Sequence, residues 1–528
     1  MFTSDPDRPW ADALVVDGDR VLFVGDLDDA CAQAGDTPQV IDITGGVVMP
    51  GFVDGHAHVL MAGGSLLKAQ LRTAADLPEI QRRVRAWAQA HPDAPRVLGI
   101  SWLFDSVPGG MPTKEMLDAV IVDRPVYLDA NDLHSVWTNS AGLAELGITA
   151  DTPDPIGGCI VRDPATGDAT GLLLENAAVT MVWPLLADVD AATRDLHLAA
   201  AVRAYNDAGV TTAVDMAIDA ASLEALQRAE EAGTLTLRVP AHWLVHRSGD
   251  PAEELAQVAH VAELAGRPRG DMVRVVGIKL IVDGTIDGCT ATLINPYTNG
   301  TNADAIWDRE SLTRVVVAAD AAGLQVALHA IGDQAARNAI DALETAMQTN
   351  GTSGRRHRIE HLEYVDEADV GRLAPLGITA SMQPVHVDPA ILPNWVAMLG
   401  EERAHRGFAW REFLDAGTTL AFGTDAPTAP HEPLPNMYIA TTRRSPGDST
   451  IAPHRPDNAL PLDEAVIHGT RDAAWASFMH DEVGMLRAGL RADLIVLDID
   501  PFADGPDSLL RAQVLHTVVG GRAVRRTD

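Results

Sequence analysis

Along the middle of the chain, short apolar runs alternate with longer stretches in which apolar positions recur at helical spacing. The strand-like runs are 211–216, 237–243, 273–280, 325–329, 357–361, 378–382 and 419–425. The run 47–58 precedes them and brings the count to eight. Amphipathic segments such as 312–322 and 334–347 lie between them. Right-handed βα units repeated eight times close into a barrel, so the pattern predicts an α/β fold, a (β/α)8 TIM barrel; an open doubly wound sheet is the alternative.

Both ends of the chain read differently. Residues 13–16, 21–25 and 40–43 form short alternating runs, with Asp17-Gly18-Asp19 as a turn, and 492–498 and 514–524 have the same character. Neither end has enough strands to bury a face alone. The two are therefore expected to pair into one small β-sandwich domain made of 1–48 and 485–528, which leaves 49–484 for the barrel. Between about 66 and 207 there is more chain than one βα unit needs, with a helix near 78–91, a strand at 126–129 and a hairpin joining 159–163 to 171–174. An inserted subdomain over the barrel mouth is expected there. Its Trp102, Phe104, His134 and Trp137 either line a pocket or form the subdomain's own small core. No tandem repeat or low-complexity linker interrupts the chain.

Composition narrows the class. At 528 residues, with 46% hydrophobic and 22% charged residues, the chain has ample material for a soluble core of two or three structural units. No apolar run approaches the ~18 residues of a membrane span. The opening Met1-Phe2-Thr3-Ser4-Asp5-Pro6-Asp7 has neither a basic nor an apolar signal region, so a cytoplasmic location is expected. A net charge of -34 repels phosphate backbones and anionic lipid heads, which argues against nucleic acid and membrane surfaces as partners and leaves a small molecule. Cys31, Cys159 and Cys289 are far apart and odd in number; they read as reduced thiols and not as a disulfide framework or a Cys-only zinc site.

The opening strand ends in His56-Ala57-His58. Side chains alternate faces along a strand, so the two histidines point to one side at its carboxyl end, at metal-ligand spacing. Alone, the pair is equally well explained by one surface and one core histidine. Later strand ends change that balance: His329 ends one strand, His361 the next and Asp425 the last, while Lys279 lies near the carboxyl end of the fourth. Each singly has a plain alternative, whether a carbonyl-satisfied histidine, a helix-capping aspartate or a snorkelling lysine. At successive carboxyl ends of one barrel, where such enzymes keep their active sites, they read together as a metal site.

These stretches resemble the amidohydrolase superfamily, and within it the amidohydrolase 3 group that contains the YtcJ-like proteins and N-substituted formamide deformylase. The matching residues are Met49-Pro50-Gly51-Phe52-Val53-Asp54-Gly55-His56-Ala57-His58, Lys279-Leu280-Ile281-Val282-Asp283-Gly284-Thr285, Leu328-His329-Ala330-Ile331-Gly332-Asp333, Arg358-Ile359-Glu360-His361, Ser381-Met382-Gln383-Pro384, Phe422-Gly423-Thr424-Asp425-Ala426-Pro427 and Gly489-Leu490-Arg491-Ala492-Asp493-Leu494-Ile495-Val496. The resemblance implies that His56, His58 and Asp425 bind the more buried of two metals, that His329 and His361 bind the second, and that Lys279 bridges them. An ammonium cannot ligate a cation, so Lys279 would be carboxylated to a carbamate; otherwise the site holds one metal. Nitrogen and oxygen ligands suit zinc best, with manganese or iron as alternatives. Trp102, His134, Gln383 and His386 are the candidate substrate contacts.

Two departures stand out. Met1 sits almost in the turn that family members reach after an extra strand, and Gly288-Cys289-Thr290 replaces an expected Ser-Arg-Thr, which removes an arginine from the loop after the fourth strand. The expected activity is hydrolysis of a C–N bond, in a linear amide such as an N-substituted formamide or N-acyl amine, by metal-activated water with Asp425 as proton shuttle. Ester, lactone or carbamate hydrolysis on the same site is the alternative, and a non-catalytic barrel scaffold is the reading from another class. A homodimer is expected by analogy.

Overall fold

In the computed structural model, which describes residues 1–131, 133, 135–155, 158–267, 270–351 and 354–526, the chain forms two compact units. One comprises Met1–Val59 with Val202–Asp528, and the other is Leu60–Ala201. In the first, a turn at Gly18 folds Ala13–Asp17 (β1) back on Arg20–Gly25 (β2) as an antiparallel hairpin. Residues 40–43 form no strand; Val40 and Ile41 are solvent-exposed, by 80% and 64%, and only Ile43 packs against an apolar cluster.

The long run 47–58 divides at Gly51. Val47–Pro50 (β3) leaves the barrel to join the small terminal sheet, and Phe52–Ala57 (β4) is the first barrel strand. The crossing is tight: a Cβ on Gly51 would lie 2.3 Å from Thr211 Cγ2, so only glycine passes.

The second unit is built on one mixed six-stranded sheet. Its strands are Ala69–Gln70 (β5), Val97–Trp102 (β6), Val126–Ala130 (β7), Ser135–Thr138 (β8), Gly158–Arg162 (β9) and Ala169–Glu175 (β10), in the order β5-β6-β7-β8-β10-β9. The expected hairpin is present as the antiparallel pair β9/β10. The helix Leu77–Ala90 starts on Asp76, whose side chain accepts from Glu79 N, and buries Ile80, Val84 and Ala88.

Seven further strands complete the barrel: Val210–Ile218 (β11), Val239–Leu244 (β12), Val273–Ile281 (β13), Gln325–Ala330 (β14), Arg358–His361 (β15), Thr379–Met382 (β16) and Leu420–Phe422 (β17). All neighbours are parallel, in the order β17-β16-β15-β14-β13-β12-β11-β4. The barrel closes just beyond the short β17. Asp425 N donates to His56 O at 2.7 Å, and His58 N donates to Ala426 O at 3.0 Å. Gly423 permits that approach, since a Cβ there would meet His56 N at 2.3 Å. Val53, Val214 and Ala421 pack with Ala473, Ala474 and Met479.

Leu494–Leu497 (β18), Val514–Val519 (β19) and Arg522–Arg526 (β20) then form an antiparallel sheet with β3, in the order β20-β19-β18-β3. That sheet shares an apolar cluster with the first hairpin through Leu14, Val24, Val48, Leu494, Val496 and Val518. No helix among the described residues is long and apolar enough to cross a membrane.

Candidate metal centre

The opening strand carries Asp54, His56 and His58 at alternate positions and so on one side, inside the barrel. Asp425 arrives from β17 through a left-handed backbone (φ 59°), and His361 ends β15 in the same unusual conformation (φ 76°), followed by Leu362 (φ 47°). Strand alternation puts Arg358 and Glu360 inward and would turn His361 away from the interior. The left-handed turn brings it back, an uncommon and costly conformation for non-glycine residues that clusters at functional sites.

Four imidazoles and one carboxylate converge as a result. His56 Nε2 and His58 Nε2 lie 3.2 and 3.1 Å from the same oxygen, Asp425 Oδ1. Neither pair is aligned as a hydrogen bond: His56 Nε2 and Asp425 Oδ1 are buried and have no hydrogen-bond partner among the described residues. The rings of His56 and His361 are 4.9 Å apart, and those of His361 and His329 4.5 Å. Ligand atoms of His56, His361 and Asp425 all fall within 4.8 Å of one another.

The other ring nitrogens are held, and this fixes which nitrogen is left for a cation. His56 Nδ1 meets the Glu360 carboxylate at 2.7 Å; the carboxylate only accepts, so Nδ1 carries the proton and Nε2 the lone pair. His361 Nδ1 donates to Gln383 Oε1 at 2.8 Å, again freeing Nε2. His329 Nε2 donates to Gly284 O at 3.2 Å, which leaves Nδ1. Partners of this kind set the tautomer of metal-ligating histidines.

Lys279 lies inside the barrel beside these groups, 2% exposed, and its Nζ has no hydrogen-bond partner among the described residues. Burial pushes its pKa down to about 8, against the pull of Glu360 and Asp425. Burial and Lys279 together push His329 to about 3. Burial opposes ionisation of Asp425, but His56, His58 and His361 outweigh it and hold the carboxyl well below the usual range.

Several residues at the site were not singled out in the sequence. Asp54 accepts from His56 N, Thr424 N and Thr424 Oγ1 at 3.2, 2.9 and 2.6 Å, which ties the first and last barrel strands together beside the histidines; burial raises its pKa to about 7. Asp283 accepts from Thr292 N, Ile331 N and Gly332 N and braces the loop that follows His329. Glu363 Oε1 accepts from His386 Nδ1 at 2.9 Å, and His386 Nε2 is 3.6 Å from Asp425 Oδ2. The signal for Asp54 and Glu360 was their place on the ligand-bearing strands.

The expected substrate contacts fare unevenly. His386 sits at the edge of the cluster, whereas Gln383 commits its carbonyl to His361. Trp102 is corrected: it is fully buried in the core of the second unit with Leu71, Leu117, Leu128 and Trp137, and its Nε1 donates to Leu128 O at 3.0 Å. Phe104 packs against that cluster and Trp137 lies within it, so these aromatics form a core. His134 lies outside the described residues.

Known proteins are similar to this chain over nearly its whole length. Residues 39–525 match the Amidohydro_3 model, described as an amidohydrolase family. The YtcJ protein of Bacillus subtilis is 30% identical over 92% of this chain and 90% of its own. The N-substituted formamide deformylase of Arthrobacter pascens is 29% identical over 98% and 96%. The crystal structure of an uncharacterized metal-dependent hydrolase from Pyrococcus furiosus superposes with a TM-score of 0.73 at 28% identity, covering 93% of this chain and 96% of that one. With a family match over nearly the whole sequence and the barrel in place, the chain belongs to the amidohydrolase family, hydrolases of carbon–nitrogen bonds.

Proposed function

We propose that the protein is a metal-dependent hydrolase of linear amides, with an N-substituted formamide or a related N-acyl amine as substrate, and that Asp425 moves the proton. The observation that carries this reading is the convergence of buried ligand atoms without partners among the described residues, His56 Nε2 and Asp425 Oδ1, beside His58, His361 and the Lys279 Nζ, which likewise has none there. Buried polar atoms are ordinarily hydrogen-bonded, so a cluster of exceptions aimed at one spot fits a cation. The residues present fit zinc: His56, His58 and Asp425 would hold one ion, and His329, His361 and a carboxylated Lys279 a second. The 29% identity to the Arthrobacter pascens deformylase supports formamides as the first substrates to test.

A bound divalent metal lowers the pKa of a coordinated water to about 7 and polarises the substrate carbonyl. The protein residues supply the rest. Asp425 turns Oδ1 toward the histidines and Oδ2 toward His386, so one oxygen serves as ligand while the other takes a proton from the attacking water. The water oxygen bonds to the acyl carbon and the C–N bond breaks. Asp425 returns its proton to the leaving nitrogen, giving a carboxylic acid and an amine. Glu360 and Gln383 hold His56 and His361 in the tautomers just described. On the lysine, Nζ would bond to the carbon of CO2 and lose a proton, becoming an anionic ligand.

The test is a hydrolysis screen on protein of known metal content, with N-substituted formamides, N-acyl amines, lactones, esters and carbamates as separate arms. Turnover of formamides or acyl amines well above the other arms supports the proposal. Turnover of esters or lactones with none of amides overturns it.

A further inference from the structure

Below the histidines the barrel interior contains a buried ion pair in which Glu360 holds His56 and its partner, Arg358, has no role in the hydrolytic steps. Arg358 and Glu360 alternate on β15 and are both fully buried. Arg358 Nε meets Glu360 Oε1 at 2.5 Å and Nη2 meets Oε2 at 3.1 Å, so the guanidinium grips the carboxylate with two bonds. The two hydrogens of Nη2 also serve Gly55 O and Ser381 Oγ, each at 2.6 Å, so one of them is shared among its three acceptors. Arg358 thus holds the carboxylate that accepts the hydrogen bond from His56 Nδ1 and also the carbonyl of the residue just before His56, while reaching across to β16.

We infer that Arg358 is a positioning residue for the metal ligand His56, acting through Glu360 and the Gly55 carbonyl. Glu360 has two oxygens and several lone pairs, and without a fork to fix it the carboxylate would be free to rotate off Nδ1. With Arg358 in place, Oε2 is shared between Nη2 and His56 Nδ1, so the imidazole plane and its free Nε2 are set together with the first barrel strand. Lysine cannot substitute, because one ammonium cannot make the paired contact and reach Gly55 and Ser381 as well. The inference rests on the proposed metal site, and it concerns only this chain's residues toward the ion.

The experiment uses full-length protein stripped of metal with a chelator, titrated with cobalt(II) by visible absorption, with zinc(II) affinity measured by competition. Three variants are compared with the wild type: Arg358→Met, Glu360→Gln and the double variant. Arg358→Met leaves a buried carboxylate without its partner beside His56, and is expected to lose more metal affinity than the double variant, in which no unpaired charge remains. The double variant is the one expected to fold in any case, and the amide that Glu360→Gln introduces there can still accept from His56 Nδ1–H but is no longer gripped. Its metal affinity should fall about 10- to 100-fold, the range for loss of a partner behind a ligand, and its cobalt bands should shift, since the ligand field at His56 changes. Glu360→Gln alone should lose less affinity than the double variant, and wild-type affinity with an unchanged cobalt spectrum in the double variant, or a double variant identical to Glu360→Gln in both, would overturn the inference. Failure of the wild type itself to bind cobalt or zinc would instead contradict the metal-site proposal.

Discussion

Replacing Asp425 with asparagine separates the two duties assigned to one side chain. The geometry divides them by atom: Oδ1 lies 3.2 and 3.1 Å from the two histidine nitrogens of the first strand, and Oδ2 lies 3.6 Å from His386 Nε2. Asparagine has the same shape and keeps one oxygen. Placed on the histidine side, that oxygen still ligates, but the Oδ2 position becomes an NH2 group that has no basicity and takes no proton. The loss is then mainly acid–base assistance, about 10²–10⁴-fold in turnover. At about 1.36 kcal/mol per decade, this corresponds to about 2.7–5.4 kcal/mol of barrier. Metal content should fall only modestly. The assay measures kcat on an amide and on an activated ester, with metal per chain determined in the same samples. An ester with a good leaving group needs little protonation, so it should lose far less than the amide. Equal losses on both substrates with full metal retention would refute the shuttle role and move the proton transfer to another group, with His386, 3.6 Å from Oδ2, as the next candidate.

Lys279→Ala should lose the second ion and most activity, and a short carboxylic acid added to the assay should restore part of it by standing in for a carbamate; wild-type activity without the additive would show a structural lysine. Trp102→Ala should lower the unfolding free energy of the protein by about 3–5 kcal/mol, as for a large core aromatic, while leaving metal per chain unchanged; denaturant unfolding with metal analysis checks both. Burial, with Arg443, His405 and Arg455 nearby, pushes His454 from 6.5 down to about 4, so the unfolded chain binds a proton that the folded chain refuses across that window. Its stabilising contribution is complete above pH 6.5 and is lost as the pH falls toward 4. His454→Gln should therefore flatten the fall of Tm over that range, and an unchanged slope would refute the assignment.

Much of this architecture was legible because the barrel's strands are apolar runs bounded by helices of clear period. The eight expected runs appear as β4 and β11 to β17, each within a few residues of its expected place. Periodicity could not divide 47–58, because the apolar residues on both sides of Gly51 are buried, in two different sheets. It overread Val40 and Ile41, whose branched side chains suit a strand, although no neighbouring strand pairs with them among the described residues. In the second unit, β6 is not legible because Gly99 and Ser101 interrupt the apolar run Val97-Leu98-Gly99-Ile100-Ser101-Trp102. At the site, residue type and strand-end position pointed to the histidines, Lys279 and Asp425. They did not point to Arg358, Glu360 or Asp54, because a charged residue within a strand reads as solvent-facing until the barrel interior is known to be polar. The left-handed turn at His361 was likewise invisible, since no glycine marks it.

The central claim is a cation held at the end of the barrel by His56, His58, His361 and Asp425, with Lys279 and His329 completing a second place. Elemental analysis of the purified full-length protein, expressed with zinc supplied, tests it most directly. The account predicts one to two divalent ions per chain in the wild type, and loss of metal in a His56→Ala/His58→Ala double variant that remains folded by circular dichroism. Metal-free wild-type protein, or a folded double variant with its full complement of metal, would contradict it.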